Sequence, residues 1–486
     1  MTAFPDTVHF RGLNRPVGVE ASIHQLQIEG VLPPEIEGAF FRAVPDRQFA
    51  PISQDDVILS HDGMIAKLEI RDGRASYAIR YVETARYLAE RAAGRSLFDR
   101  YRNPYTDDPS VAGVDRTVAN TTPIWHAGRL CMTKEDGRAY EVNPHTLETV
   151  GRWDYHGAFS SETMTAHPRV DPETGEMFFF GYEAAGLCTP TISYAIADRN
   201  GDLVSEQWFD APYCAWMHDF VITRTHVVFP VFPTTADLDR LKAGGAHWKH
   251  EQDRESWIGI MPRYGKVDEI VWIKGPPGVH SYHMMNAFEE SGLVHIDMCL
   301  FNTNMIPFVR EDHQLEVQTD GAFLRWTIDL ADPAAGVAER KIGPMGEMPR
   351  VRDADQGRDY RYGWYLSVNP EAGPLLAAGP GGVAFNLLLR VEVGNGGLEG
   401  YTVPPFHAVN EPVHIPAADP QSEGWLMMFV DRQVAEGFYQ QEVWVFDAGS
   451  PSKGPVAKIF IPIPGRPQVH GTWVAAKDLA NARIGA

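Results

Sequence analysis

The sequence predicts an all-β fold of repeated hairpins, radial or sandwich in arrangement, and three features predict it. Turn formers are abundant, with 44 Gly and 36 Pro in 486 residues. Short β-branched or aromatic runs recur, each followed by a Pro/Gly/Asp turn and a second such run. The sustained 3.6-residue periodicity of an α-rich protein is missing. A β-propeller suits the length, since seven blades would take about 70 residues each and leave room for long connecting loops.

The elements follow in chain order. Residues 83–93 are polar and Ala-rich, which predicts a helix. Residues 140–150 (Tyr-Glu-Val-Asn-Pro-His-Thr-Leu-Glu-Thr-Val) read as strand, turn, strand. Residues 167–180 do so most clearly, because Asp171-Pro172 through Gly175 is a strong turn signal ahead of Met-Phe-Phe-Phe. Residues 195–204 repeat the pattern around Asn200-Gly201, a pair that favours a tight hairpin turn. Residues 234–243 predict a second helix, with Thr234 as its N-cap. Residues 442–447 and 457–462 flank a Gly/Ser/Pro/Lys turn. The chain is expected to be one propeller domain, 1–486, with helical insertions at about 83–110 and 234–245 lying over the β core.

Composition narrows the partners. A formal net charge of −21 argues against nucleic acid and against an anionic membrane surface, both of which attract clustered Lys and Arg. A small neutral or weakly acidic ligand fits better. The hydrophobic share of 44% is ample for a core. Cys131, Cys188, Cys214 and Cys299 are too few and too scattered for a disulfide framework or a CxxC zinc site. The opening residues have no signal-peptide pattern, and no apolar run reaches about 18 residues, so a cytoplasmic location without stable membrane insertion is expected.

Of the 18 histidines, four stand at the edges of β runs in distinctive contexts. His167 lies in Thr-Ala-His-Pro, His218 in Met-His-Asp-Phe, His283 in Tyr-His-Met-Met-Asn, and His470 in Val-His-Gly-Thr-Trp. Such remote positions can converge where the inner ends of propeller blades meet at the axis.

These segments belong to a wider pattern: Tyr-Arg-Asn-Pro-Tyr-Thr-Asp-Asp at 101–108, Lys-Glu-Asp-Gly at 134–137, Met-His-Asp-Phe at 217–220, His-Met-Met-Asn-Ala-Phe-Glu at 283–289, Asn-Glu-Pro-Val at 410–413 and His-Gly-Thr-Trp at 470–473. Together they resemble the carotenoid cleavage oxygenases, and more closely their bacterial branch that cleaves lignostilbene, stilbenes and isoeugenol. The resemblance runs along essentially the whole sequence. It implies a seven-bladed β-propeller capped by a helical and loop dome. It also implies a ferrous ion, Fe(2+), held by His167, His218, His283 and His470. Neutral imidazoles suit Fe(II), and four of them leave open positions for O2.

From the same resemblance, Glu135, Glu347 and Glu411 are the expected partners of three of these rings, orienting them through ring N–H groups. Tyr101 and Lys134 match positions that hold the para-hydroxyl of a phenolic substrate, and a buried ammonium favours a nearby phenolate. Ionising that hydroxyl enriches a conjugated alkene in electrons. Position 59, aromatic in stilbene-cleaving relatives, is Leu59 here, which suits the shorter propenyl or vinyl group of isoeugenol or 4-vinylguaiacol. The expected reaction is scission of the alkene with O2 to an aromatic aldehyde such as vanillin or 4-hydroxybenzaldehyde. The electrons come from the alkene, so no NAD, flavin or heme is expected, and no GxGxxG or Walker motif is present. A homodimer is the expected assembly.

Two enzymatic rivals and one binding role remain at this stage. An apocarotenoid cleaver would use the same iron site without needing Lys134. A propeller lactonase would bind a hard cation through carboxylate and amide oxygens. A non-catalytic propeller would leave the four histidine contexts without a purpose.

Overall fold

The computed structural model describes residues 3–310 and 319–485. Seven antiparallel sheets of four or more strands are the blades of a seven-bladed β-propeller. All four expected hairpins form: Tyr140–Val142 with Thr149–Arg152, Arg169–Val170 with Met177–Tyr182, Thr191–Ala197 with Leu203–Asp210, and Phe438–Asp447 with Ala457–Pro464.

Two compact units make up the protein. The first draws on residues 1–153, 365–390 and 399–486. Its N- and C-terminal parts are interleaved twice. Gly471–Ala475 pairs with Gly38–Pro45, and Gln27–Gly30 pairs with Ala457–Pro464. Gly38–Pro45 is buried along its whole length, with sheet neighbours on both sides, so it carries the continuous run Gly-Ala-Phe-Phe-Arg-Ala-Val-Pro. Around it Phe40, Val44, Met64, Leu68, Met427, Phe429 and Val443 form one apolar cluster. Fully burying such a side chain is worth roughly 1.5–3 kcal/mol.

The second unit, residues 154–364 and 391–398, contains three four-stranded sheets. Their first strands are Arg169–Val170, Val221–Ile222 and Met284–Glu290. Outer strands such as Leu203–Asp210 alternate between half-buried and exposed positions, because only one face is covered. Ile258, Ile260, Met284, Ile296 and Trp326 belong to this unit's core.

The helices differ in extent from expectation. Ala85–Ala93 forms, capped by the Thr84 hydroxyl accepting from Tyr87 N and ended by Gly94 at φ 66°. Beyond it, up to 110, only the 3-10 turns Pro104–Thr106 and Pro109–Val111 are helical, since proline cannot continue a helix interior. In the second segment Thr234–Ala236 is a strand paired with Trp248–His250, and the helix is the short Leu238–Lys242. Its cap is Asp237, not Thr234. The Thr234 hydroxyl is buried and engaged with Asn304 and His250 instead. No helix among the described residues is long and apolar enough to cross a membrane. None of the four cysteines is in a disulfide among the described residues.

Candidate metal centre

Each of the four histidines singled out above lies one to three residues ahead of a strand. His167 precedes Arg169–Val170, His218 precedes Val221–Ile222, His283 precedes Met284–Glu290, and His470 precedes Gly471–Ala475. A strand start has fixed backbone but still faces the open end of its sheet, so a residue there is both held and accessible.

In the second unit three rings converge by their Nε2 atoms. His167 Nε2 lies 3.1 Å from His218 Nε2, which lies 3.1 Å from His283 Nε2. The ring planes are steeply inclined, at 67°, 73° and 71° pairwise. A neutral imidazole nitrogen carries either a proton or a lone pair, so one His218 nitrogen cannot satisfy both neighbours. The spacing is that of ligands around an ion. A metal–nitrogen bond of about 2.1 Å places ligands at right angles about 3.0 Å apart. One ligand atom from each of His167, His218, His283 and His470 lies within 4.8 Å of the others. This group can hold a metal, and a set of four neutral nitrogens fits a ferrous ion.

Carboxylates set the tautomer of two rings. Glu347 Oε2 is 2.5 Å from His283 Nδ1, and Glu411 Oε1 is 2.9 Å from His470 Nδ1. With Nδ1–H donating to a carboxylate, the Nε2 lone pair is left to bind a metal. Glu411 is itself held: its second oxygen accepts from Gly471 N at 3.0 Å, and Arg42 Nη1 donates to its carbonyl at 2.7 Å. Glu135 is buried directly after Lys134.

Lys134 follows the strand Arg129–Thr133 and is only 3% exposed. Its ammonium stands 5.4 Å from the centre of the Tyr101 ring. Burial pulls the Lys134 pKa below the ordinary lysine value, against the opposing pull of Glu135 and Asp136. The Tyr101 hydroxyl is buried without a hydrogen-bond partner of normal geometry, and burial pushes its pKa well up against the pull of the neighbouring Arg102. The loop bearing Tyr101 is pinned on both sides. Glu90 Oε1 accepts from Leu97 N and Phe98 N, at 2.8 and 3.0 Å. Arg116 grips Asp107 with two hydrogen bonds and donates to Arg100 O. Leu59 is half-buried in the turn Ile58–Ser60, its carbonyl accepting from Asn120 Nδ2 at 3.2 Å.

Residues 14–475 match the family model described as retinal pigment epithelial membrane protein. The protein belongs to the carotenoid oxygenase family. Among relatives of this oxygenase, lignostilbene-alpha,beta-dioxygenase isozyme III of Sphingomonas paucimobilis is 35% identical, over 99% of this sequence and 100% of that one. Isoeugenol monooxygenase of Pseudomonas nitroreducens is 37% identical, over 94% of this sequence and 96% of that one. The crystal structure of Pseudomonas brassicacearum lignostilbene dioxygenase superposes with a TM-score of 0.92 at 35% identity, covering 98% of this oxygenase and 100% of that protein.

Sequence reasoning on this carotenoid oxygenase family member passed over Arg169 and Asp219. Both sit inside or beside segments already singled out, in His-Pro-Arg and Met-His-Asp-Phe. The available signal was a charged residue at the start of an apolar strand, where an unpaired charge is costly.

Proposed function

We propose that this oxygenase holds Fe(2+) on His167, His218, His283 and His470 and uses O2 to cleave the exocyclic carbon–carbon double bond of a 4-hydroxyphenyl alkene, releasing an aromatic aldehyde. The observation that carries the substrate class is the pairing of Lys134 and Tyr101. Burial costs the Lys134 ammonium more than Glu135 and Asp136 return to it, and the buried Tyr101 hydroxyl has no hydrogen-bond partner of normal geometry, so each is unfavourable as it stands. A phenolate oxygen would satisfy both.

The chemistry a ferrous ion supplies here is the binding and activation of O2, with the alkene as the source of electrons. The protein's own groups do the rest. Because burial lowers the Lys134 pKa, the free amine is accessible and can take the phenolic proton, leaving an ammonium–phenolate pair. The Tyr101 O–H donates to the same oxygen. The ring and its alkene are then enriched in electrons towards the double bond. Glu347 and Glu411 keep the Nε2 atoms of His283 and His470 unprotonated throughout. Leu59 in place of an aromatic residue suits a short propenyl or vinyl group as well as a second aryl ring, and the names of the relatives include both substrate types.

The test is a panel of lignostilbene-type stilbenes, resveratrol, isoeugenol, 4-vinylguaiacol and an apocarotenoid, with iron-loaded protein in an oxygen electrode. Aldehyde is expected from substrates with a free 4-hydroxyl, and methylating that oxygen should abolish turnover. Equal turnover of the methyl ether, or cleavage of the apocarotenoid alone, would overturn the phenolate reading.

A further inference from the structure

The three histidine segments of the second unit are tied together behind the rings. Arg169, two residues after His167, reaches across to the segment of His218. Its Nη2 lies 2.7 Å from both oxygens of Asp219, and its Nε donates to Phe220 O at 2.8 Å. The same Nη2 lies 3.3 Å from Met284 O, in the residue after His283. Asp219 completes the triangle, since its Oδ2 accepts from Met284 N at 2.9 Å and its Oδ1 from Phe220 N at 2.8 Å. The side chains of Arg169 and Asp219 are both largely buried, at 13% and 2% exposed.

We propose that Arg169 and Asp219 are positioning residues for the metal centre: one charged pair fixes the spacing of the three strand starts that carry His167, His218 and His283. The inference rests on the reading of these histidines as metal ligands. Its physical basis is that three separate sheets must bring the nitrogens of His167 and His283 each to 3.1 Å from that of His218, a tolerance that apolar packing between sheets does not enforce by itself. Hydrogen bonds are directional, and the Asp219 carboxylate gathers donors from all three segments. Backbone groups of Phe220 and Met284 are held on both their N–H and C=O sides. A relaxed network lets the strand starts drift, and the ligand nitrogens with them. Arg is required because its planar fork reaches two segments at once, which a lysine ammonium cannot do.

The experiment titrates metal-free protein with cobalt(II) alone and records affinity and the visible d–d spectrum. R169K and D219N should each bind cobalt about 10–100-fold more weakly, the usual loss when an outer-shell partner of a metal site is removed, and should shift the d–d bands. The control is R325K. Arg325 makes a similarly buried pair with Asp297, at 2.7 and 2.8 Å, but joins neighbouring strands of a single sheet. That variant should keep wild-type affinity and spectrum at a similar loss of thermal stability. Wild-type affinity and bands in R169K and D219N would overturn the proposal, as would an equal loss in R325K. Where R169K does not fold, D219N gives the same readout. Absence of stoichiometric cobalt binding by the wild type would instead overturn the metal-centre reading itself.

Discussion

His283 and Glu347 share a 2.5 Å contact between Nδ1 and Oε2, although 64 positions separate them in sequence. The same carboxylate oxygen accepts from Met348 N at 2.7 Å, and Met348 holds a left-handed backbone at φ 55°. A non-glycine residue in that region is strained, so this segment is shaped to deliver the carboxylate. In E347Q the amide can turn its NH2 towards Nδ1, removing the preference for a free Nε2 lone pair. Ferrous affinity should fall about 10–100-fold, measured by titration of metal-free protein. An unchanged affinity would show that the ring is oriented by packing alone.

Gly471, the residue after His470, explains its own identity by close approach. An added Cβ would lie 2.5 Å from Phe40 Cε2 and 2.9 Å from Phe41 O. One of these atoms is backbone in a fully buried strand and cannot swing aside. G471A should cost about 1–3 kcal/mol in denaturant unfolding. It should also weaken metal binding, because the Gly471 N–H holds Glu411 against His470.

Removing the Lys134 ammonium separates substrate recognition from metal binding. K134M should lower kcat/KM on free 4-hydroxyphenyl alkenes by about 10²-fold or more, in the range of a lost acid–base group. Iron content should match the wild type, since Lys134 is not among the clustered nitrogens. Loss of iron in parallel with activity would mean that the variant damages the centre and not the substrate pocket.

The pH profile follows from the direction of the Lys134 shift. The reactive state holds one proton between the lysine and a phenol, so kcat/KM should rise with pH as the lysine loses its proton. That limb lies below the ordinary lysine value of 10.5, because burial lowers the pKa. K134M should lose it and retain only a rise at the substrate's own ionisation. For stability the sign is the same. Between the lowered pKa and 10.5 the unfolded protein binds more protons than the folded one, so the penalty of the buried charge is relieved as pH rises. Wild type should gain stability on K134M across that window, as measured by urea unfolding at stepped pH.

Stripping the metal should lower the melting temperature. Four clustered nitrogens contribute binding energy to the folded state only, and free metal at about a hundredfold excess over Kd is worth about 2.7 kcal/mol. Calorimetry with and without a ferrous chelator measures it. A melting temperature indifferent to metal would count against a preformed site.

The hairpins were legible because their signals are local. Asp-Pro and Asn-Gly turns, and the alternation of exposed and buried side chains, depend on neighbours in sequence, and all four expected pairs formed. The helices were half legible. Thr84 caps as a good N-cap should, but Thr234 spends its hydroxyl on Asn304 and His250, partners no local rule reveals.

By itself the sequence determined the all-β hairpin architecture, an acidic surface unsuited to polyanions, and the identity of four histidines at strand edges, since these properties reside in residue type and short-range order. Tertiary structure alone decided that His218 Nε2 stands 3.1 Å from the Nε2 atoms of both His167 and His283, which carboxylate meets which ring, and that Arg169 and Asp219 join three separate sheets. Those distances arise from the closing of strands far apart in sequence, and no single segment carries the energy that fixes them.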